Sequence, residues 1–197
     1  MRVWSRANPD DYRRLPLRAH TLFADVPLHD VWQVGLPGGG PDRTIQDVRL
    51  LLSSVLKGGR LNPPVRTLFG LRAFIGRVLQ WDRPRTDLDQ HSFRHRLTEQ
   101  DRQQSVVSPG TPDGPFTVLY VHAREAASEV RNATVHAFSV MALEQNMGGY
   151  QLYWAIYVQP VGRLTGPYMA LIDPFRRLLV YPSILRRIHR AWLAECE

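Results

Sequence analysis

The chain has 197 residues, of which 44% are hydrophobic and 22% charged, a balance typical of a globular protein with a sizeable core. No apolar run approaches the roughly 20 residues that cross a bilayer, so no transmembrane segment is expected. The net charge of +7 comes from 24 Arg and one Lys scattered along the chain. Because aromatic residues are not interleaved with them, nucleic-acid binding is not expected.

The two ends of the chain indicate where the protein works. The first residues lack the apolar core of a signal peptide. The only cysteine, Cys196, excludes an internal disulfide. Both features favour a reducing, cytoplasmic setting.

The N-terminal part predicts a surface segment followed by two strands. Residues 1–19 are polar and contain prolines, which predicts a surface segment with one short turn of helix. Residues 20–26 predict a first strand that Pro27 ends. Residues 29–36 alternate weakly and predict a second strand, and the Pro-Gly-Gly-Gly-Pro run at 37–41 predicts a loop.

Two helices are predicted next, over residues 42–57 and 62–81. The first has apolar residues at three- and four-residue spacing, and Gly58-Gly59 ends it. The second has a wider apolar face and prolines in its first turn. We interpret both as helices inserted after the first strands.

The middle of the chain gives weaker patterns. Residues 92–97 predict a short strand and residues 116–122 a longer one, whereas residues 123–130 fit either a brief helix or a polar connection. His91 and His95 have the spacing of a helical metal pair, but no Glu lies beside them. No metal site and no cofactor are therefore expected.

Residues 134–144 and 150–159 are rich in strand formers and predict a hairpin with a five-residue loop. With Glu144 opposite Tyr150, the two faces follow from the alternation of side chains. One face would carry His136, Phe138, Val140, Ala142, Leu152, Trp154, Ile156 and Val158, and the other Val135, Ala137, Ser139, Met141, Leu143, Tyr153 and Tyr157. Because neither face is polar, we expect both to be covered. A register slip of one residue would exchange the faces.

The C-terminal part predicts a long helix packed across the sheet. Its apolar positions alternate three and four apart: Tyr168, Leu171, Phe175, Leu178, Pro182, Leu185, His189 and Trp192. Asp173-Pro174 and Tyr181-Pro182 should kink or restart it. On this pattern Arg176, Arg187 and Arg190 lie on the opposite side, towards solvent.

Two segments, Val158-Gln-Pro-Val-Gly-Arg-Leu164 and the run from Tyr168 to Pro182, resemble the signature of an uncharacterised bacterial domain-of-unknown-function family. Some of its members follow a short-chain dehydrogenase or epimerase domain in the same polypeptide. The family is similar to the START/Bet v 1-like (SRPBCC, helix-grip) superfamily, in which a curved antiparallel sheet surrounds a long C-terminal helix. Many superfamily domains hold a hydrophobic ligand between the two. The family has no established catalytic residues, so the resemblance assigns none.

The resemblance implies an α+β fold in which residues 1–197 form one helix-grip-like domain. Its curved antiparallel sheet would pack around a proline-kinked C-terminal helix. The leading functional hypothesis is that a lipid-like or polycyclic molecule binds between sheet and helix. The candidate ligand residues are His136, Phe138, Trp154, Ile156, Tyr157 and Phe175.

Two alternatives stay open. In the first, the domain is a cyclase- or dehydratase-type enzyme that uses His136 or a cavity tyrosine as acid or base. In the second, it is an interaction module whose Arg186, Arg187 and Arg190 dock on a partner protein or an anionic membrane surface. Without an enzymatic signature, the sequence leans towards a binding role.

Overall fold

The computed structural model describes residues 3–57, 91–132, 135–163 and 165–196, which contain one seven-stranded antiparallel sheet. Its strands are β1 (Trp4–Arg6), β2 (Leu28–Pro37), β3 (Pro112–Asp113), β4 (Phe116–Val121), β5 (Glu125–Arg131), β6 (Val135–Asn146) and β7 (Gly149–Pro160). Their order is β1-β2-β7-β6-β5-β4-β3, so the two longest strands lie side by side near the middle.

Helices lie on both sides of this sheet. They are α1 (Pro9–Arg13), α2 (Arg18–Leu22), α3 (Ile45–Lys57), a 3-10 turn (Phe93–Arg96), α4 (Glu99–Gln104), α5 (Thr165–Phe175), a π-helical segment (Arg176–Val180) and α6 (Tyr181–Cys196). The fold is thus α+β, with an antiparallel sheet and an interrupted C-terminal helix, as predicted. None of the described helices is long and apolar enough to cross a bilayer.

The central hairpin has a shorter loop than predicted, and its register differs. Asn146 pairs with Gly149 and Glu144 with Gln151, so only two residues form the loop. The predicted pairing of Glu144 with Tyr150 is wrong by one residue, which exchanges the faces of one strand relative to the other. The tight turn requires glycine at 149, where φ is +142° and a Cβ would lie 2.4 Å from the Leu36 carbonyl oxygen.

Each face of the sheet contributes to its own apolar core, so the prediction that both faces are covered is confirmed. The first core lies under α3 and α6 and includes Trp32, Val34, Leu36, Ile45, Val48, Leu143, Leu152, Ile156, Leu185, Ile188 and Trp192. The second core lies under α1, α2 and the 3-10 turn and includes Tyr12, Leu22, Phe23, Phe93, Tyr120, Phe138, Val140, Tyr153, Ala155 and Tyr157.

The strand predicted at residues 20–26 is wrong. This part of the chain contains α2, whose first backbone N–H groups, those of Arg18 and Ala19, donate to the Glu125 carboxylate at 2.6 and 3.3 Å. The capping group comes from β5, more than 100 residues away, so no local pattern could show it. Similarly, residues 1–19 contain the unpredicted edge strand β1 as well as the expected short helix.

Two further elements differ from prediction. Residues 92–97 form a 3-10 turn because Ser92 Oγ accepts the N–H of Arg94 and the Glu129 carboxylate accepts that of Phe93. Most of the stretch at 123–130 belongs to strand β5, whose two glutamates are buried and paired. The predicted strands at 29–36 and 116–122 and the helix at 42–57 are confirmed, the last beginning at Ile45. The predicted helix at 62–81 lies outside the described residues.

The C-terminal helix packs on a different face from the one predicted. Pro174 cannot donate a hydrogen bond to the preceding turn, and the π-helical segment follows it directly. Of the predicted positions in this half, Tyr168 is buried, but Leu171, Phe175 and Leu178 are exposed, and Met169 is buried instead. Beyond the π-helical segment the predicted pattern holds, because Pro182, Leu185 and Trp192 are buried. The wider π-helical turn shifts the helix phase between the two halves.

Candidate functional site

A groove of about 700 Å³ opens between the β1–β2 edge of the sheet and the C-terminal helix. Its lining residues are Val3, Trp4, Ser5, Arg6, Trp32, Arg177, Leu178, Pro182, Arg186, His189 and Arg190. The volume falls within the range of small-molecule sites in proteins. β1 has only three residues and therefore extends the sheet along only part of β2, and the groove lies beside this short edge strand.

Aromatic side chains form the sheet side of this groove. The rings of Trp4 and Trp32 lie 6.1 Å apart, and Tyr181 stacks on Trp32 at 5.0 Å. Trp32 is 6% exposed, and its indole Nε1–H is buried with no hydrogen-bond partner in the described part of the chain. An unpaired buried donor costs about 1–3 kcal/mol.

Four arginines line the same groove, and three of them have no carboxylate partner among the described residues. Within the described residues, no Asp or Glu lies within ion-pair distance of Arg6, Arg186 or Arg190. The Arg186 guanidinium lies over the Trp4 ring, 5.3 Å from its centroid. His189 is fixed by a 2.7 Å hydrogen bond from its Nδ1 to the Gly35 carbonyl oxygen. The mouth is therefore basic and its walls are apolar.

The fourth groove arginine, Arg177, is held from behind by acidic residues. Its guanidinium lies 3.2 Å from Asp173 and 3.9 Å from Asp30. Arg176 contacts the same two carboxylates at 2.9 and 3.5 Å, and His29 Nε2 lies 2.7 Å from Asp173. These contacts join α5 and the π-helical segment to β2.

The geometry of this acidic cluster favours a structural role. His29, Asp30 and Asp173 place ligand atoms within 4.8 Å of one another, close enough to hold a metal ion. Two guanidiniums already neutralise the two carboxylates, however, so a divalent cation there would meet strong repulsion. An imidazole oriented by a carboxylate is also the arrangement of a general base, but His29 does not line the groove.

The structure divides the six candidate ligand residues between opposite faces of the sheet. His136, Phe138 and Tyr157 lie on the side of the second core, whereas Trp154 and Ile156 lie on the side of the first. Phe175 is 38% exposed on the outer surface of α5. The register shift in the hairpin is the reason that His136 and Phe138 lie on the face opposite Trp154 and Ile156.

His136 belongs to a closed network of buried polar groups. It is 0% exposed, and its Nε2 donates to the Glu129 carboxylate at 2.9 Å. The same carboxylate accepts hydrogen bonds from the Ser92 hydroxyl and, at 3.1 Å, from the Phe93 N–H. Phe93 and Phe138 pack against the imidazole. This placement explains His136 as a core histidine held through its Nε2 by a buried glutamate, while its Nδ1 is buried without a hydrogen-bond partner in the described part of the chain.

The three arginines predicted as an interaction surface have different positions. Arg186 and Arg190 are exposed and line the groove, whereas Arg187 is half-buried and lies outside it. Arg176, predicted to face solvent, turns inward to Asp30 and Asp173 because the π-helical segment rotates it.

Sequence reasoning missed the two residues that form the edge of the site, Trp4 and Arg6. They occupy a three-residue strand, which is too short to give a recognisable alternation. Trp32 lies in a strand that was predicted, but the weak alternation of residues 29–36 gave no facing for it, and the structure places it in the first core with Val34 and Leu36. No local pattern indicated that Trp32 would meet Trp4.

Comparison with known proteins adds a family. A family model described as "Protein of unknown function (DUF2867)" matches residues 22–183, which run from the end of α2 to the start of α6. Searches among curated proteins and among solved structures found no match. The family match agrees with the predicted membership in a family of unknown function. Because the match covers most of the chain, the protein belongs to the DUF2867 family of proteins of unknown function.

Proposed function

We propose that the protein binds an amphipathic organic anion in the groove between β1, β2 and the C-terminal helix. The observation that carries this proposal is the pairing of aromatic walls with guanidiniums that have no carboxylate partner within the described residues. A polycyclic or acyl group would lie against Trp4 and Trp32. A carboxylate, sulfonate or phosphate group would meet Arg6, Arg186 and Arg190.

The proposal keeps a ligand between the sheet and the C-terminal helix, but it moves that ligand from the central hairpin to the β1–β2 edge and changes its chemistry. A purely apolar molecule would leave the guanidiniums unused, whereas a small inorganic anion would leave the two indoles unused. Guanidinium binds carboxylate and phosphate groups through two parallel hydrogen bonds, so an oxyanion head group suits this mouth. The unpaired Trp32 Nε1–H is a further donor on a groove residue.

Two matched probes test the proposal. 1-Anilinonaphthalene-8-sulfonate combines an aromatic body with an anionic group, and N-phenyl-1-naphthylamine has the same body without the charge. We expect the full chain to bind the sulfonate more tightly than the amine. The double variant Arg6→Gln/Arg190→Gln should weaken sulfonate binding at least about tenfold, because each charge-assisted hydrogen bond contributes about 1.5–3 kcal/mol. Fluorescence titration measures both affinities.

Arg13→Gln is the matched control, since Arg13 is exposed on α1, the helix that packs on the other face of the sheet. It should bind both probes as the unmodified chain does. The proposal is wrong if the double variant binds the sulfonate with unchanged affinity, or if both probes bind equally well.

A further inference from the structure

The exposed residues of α5 and the π-helical segment are all apolar. Every exposed residue between Thr165 and Val180 is Gly, Pro, Ala, Leu or Phe, and all of these residues are described. They are Gly166, Pro167, Ala170, Leu171, Pro174, Phe175, Leu178 and Leu179. Leu178 is 74% exposed and Leu171 44%. A helix on the surface of a globular protein normally presents polar residues to water, so this arrangement is inverted.

Ion pairs to the sheet hold the inverted orientation in place. The charged residues of the segment, Asp173, Arg176 and Arg177, turn inward and meet His29 and Asp30 of β2. The carboxylate of Asp30 is fully buried there. Rotating the helix to hide its leucines would break these contacts and leave a buried carboxylate unpaired, a strongly destabilising change. The apolar surface is therefore a fixed feature of the fold.

The surroundings of this surface are strongly basic. Residues 161–194 contain six Arg and a single acidic residue, Asp173, which is used in the inward ion pairs. Arg163 is exposed just before α5, and Arg186 and Arg190 are exposed on α6. An exposed apolar strip bordered by arginines has the composition of helices that lie in the interface of anionic membranes.

We propose that the outer surface of α5 and the π-helical segment docks on an anionic membrane. Leu171, Phe175, Leu178 and Leu179 enter the boundary between head groups and acyl chains, and the neighbouring arginines contact lipid phosphates. This inference goes beyond ligand binding in the groove and involves mostly different residues. Leu178, Arg186 and Arg190 are common to both surfaces, which places the groove mouth beside the membrane contact.

Vesicle flotation with the full chain tests the docking. We expect the protein to float with phosphatidylcholine vesicles that contain about 30% phosphatidylserine and to stay unbound with phosphatidylcholine alone. Sodium chloride at about 0.5 M should weaken the binding because it screens the arginines. The double variant Leu171→Ser/Phe175→Ser should lower the bound fraction at least tenfold, since both side chains are exposed and lie outside the groove.

Leu50→Ser is the matched control, because Leu50 is 60% exposed on α3, away from this surface. It should float like the unmodified chain. Unchanged urea midpoints would show that all variants are folded. The double variant should bind 1-anilinonaphthalene-8-sulfonate normally, so the docking and the groove can fail independently.

Three results would overturn the membrane docking. The first is that the full chain fails to float with anionic vesicles. The second is that the double variant floats as well as the control. In the third, light scattering shows a dimer that the double variant loses, which assigns the surface to a second copy of the chain.

Discussion

At the scale of single residues, Glu129 explains most of the second core's polar content. It is 0% exposed and accepts hydrogen bonds from Ser92, Phe93 and His136, which come from two different elements. A buried carboxylate is tolerated only when such donors surround it. In the sequence His136 stands among apolar strand residues, which made it a candidate ligand residue. The sequence could not show that β5 places a glutamate beside it.

Glu129→Ala should therefore destabilise the protein strongly. The substitution leaves three buried donors without their acceptor, and we expect the free energy of unfolding to fall by about 3–5 kcal/mol. Urea denaturation followed by circular dichroism measures the change. Glu144→Ala, at an exposed position of β6, should change it by less than about 0.5 kcal/mol. Equal effects of the two substitutions would contradict a structural role for the Glu129 network.

At the scale of elements, side chains far apart in sequence decide where the short helices lie. Arg18 of α2 donates to Asp101 of α4 at 2.9, 3.1 and 3.0 Å, and Thr98 forms a capping box with the same carboxylate. Burial raises the pKa of the Asp101 carboxyl, but the hydrogen bonds from Arg18 and Thr98 outweigh burial, so the pKa lies below its ordinary value. The ionised form therefore stabilises the fold.

The contribution of Asp101 should depend on pH with a definite sign. A carboxyl whose pKa is lower in the folded state stabilises the protein above its unfolded pKa of about 3.9, and this effect is lost as the pH falls through the folded pKa. Asp101→Asn should cost about 1.5–3 kcal/mol at pH 7, and the difference from the unmodified chain should shrink towards pH 2. Urea midpoints across this range measure it, with Asp42→Asn at an exposed position as the control. A difference that is constant with pH would refute the assignment.

The C-terminal helix shows the limit of periodicity at the same scale. The spacing of its apolar residues predicted one packing face along the whole helix. In the structure Tyr168 is buried, Leu171, Phe175 and Leu178 of that face are exposed, and the face is buried again after the five π-helical residues. Pro174 was visible in the sequence as an interruption, but the amount of rotation depends on the ion pairs that Asp173 and Arg176 make with β2.

At the scale of the whole molecule, the groove lies at the β1–β2 edge of the sheet. Trp4 belongs to β1, which is an edge strand among the described residues, whereas Trp32 belongs to β2, which pairs with β1 and β7, and its ring stacks on Tyr181. One side of the groove is thus an edge strand and the other side belongs to the first core. Substitutions of Trp4 and Trp32 should therefore differ in their effect on the free energy of unfolding, although both should weaken probe binding.

Trp32→Ala should lower the free energy of unfolding by about 3–5 kcal/mol, because it empties a large volume in the first core. Trp4→Ala should cost only about 1–2 kcal/mol, since Trp4 is half-buried and its loss leaves an open surface. Both should weaken binding of 1-anilinonaphthalene-8-sulfonate. Urea denaturation and calorimetric titration measure the two effects. Equal losses of stability would show that β1 is part of the core rather than a wall of the groove.

The sequence by itself determined the central strands, helix α3 and the loop before it. It also determined that both faces of the hairpin pack against other parts of the protein. Those features depend on local alternation, on glycine and proline, and on apolar content, all of which neighbouring residues encode. The α+β class and membership in a family of unknown function were also within its reach. The helix-grip resemblance stays a prediction.

Only the tertiary structure decided the hairpin register, the phase of the C-terminal helix and the location of the groove. A register depends on which partners fill each face, and one residue of difference separates His136 and Phe138 from Trp154 and Ile156. The groove needs Trp4, Trp32 and Arg190 to meet, and they come from the beginning, the first third and the end of the chain. Contacts of such long range arise from packing and charge pairing, which no local pattern encodes.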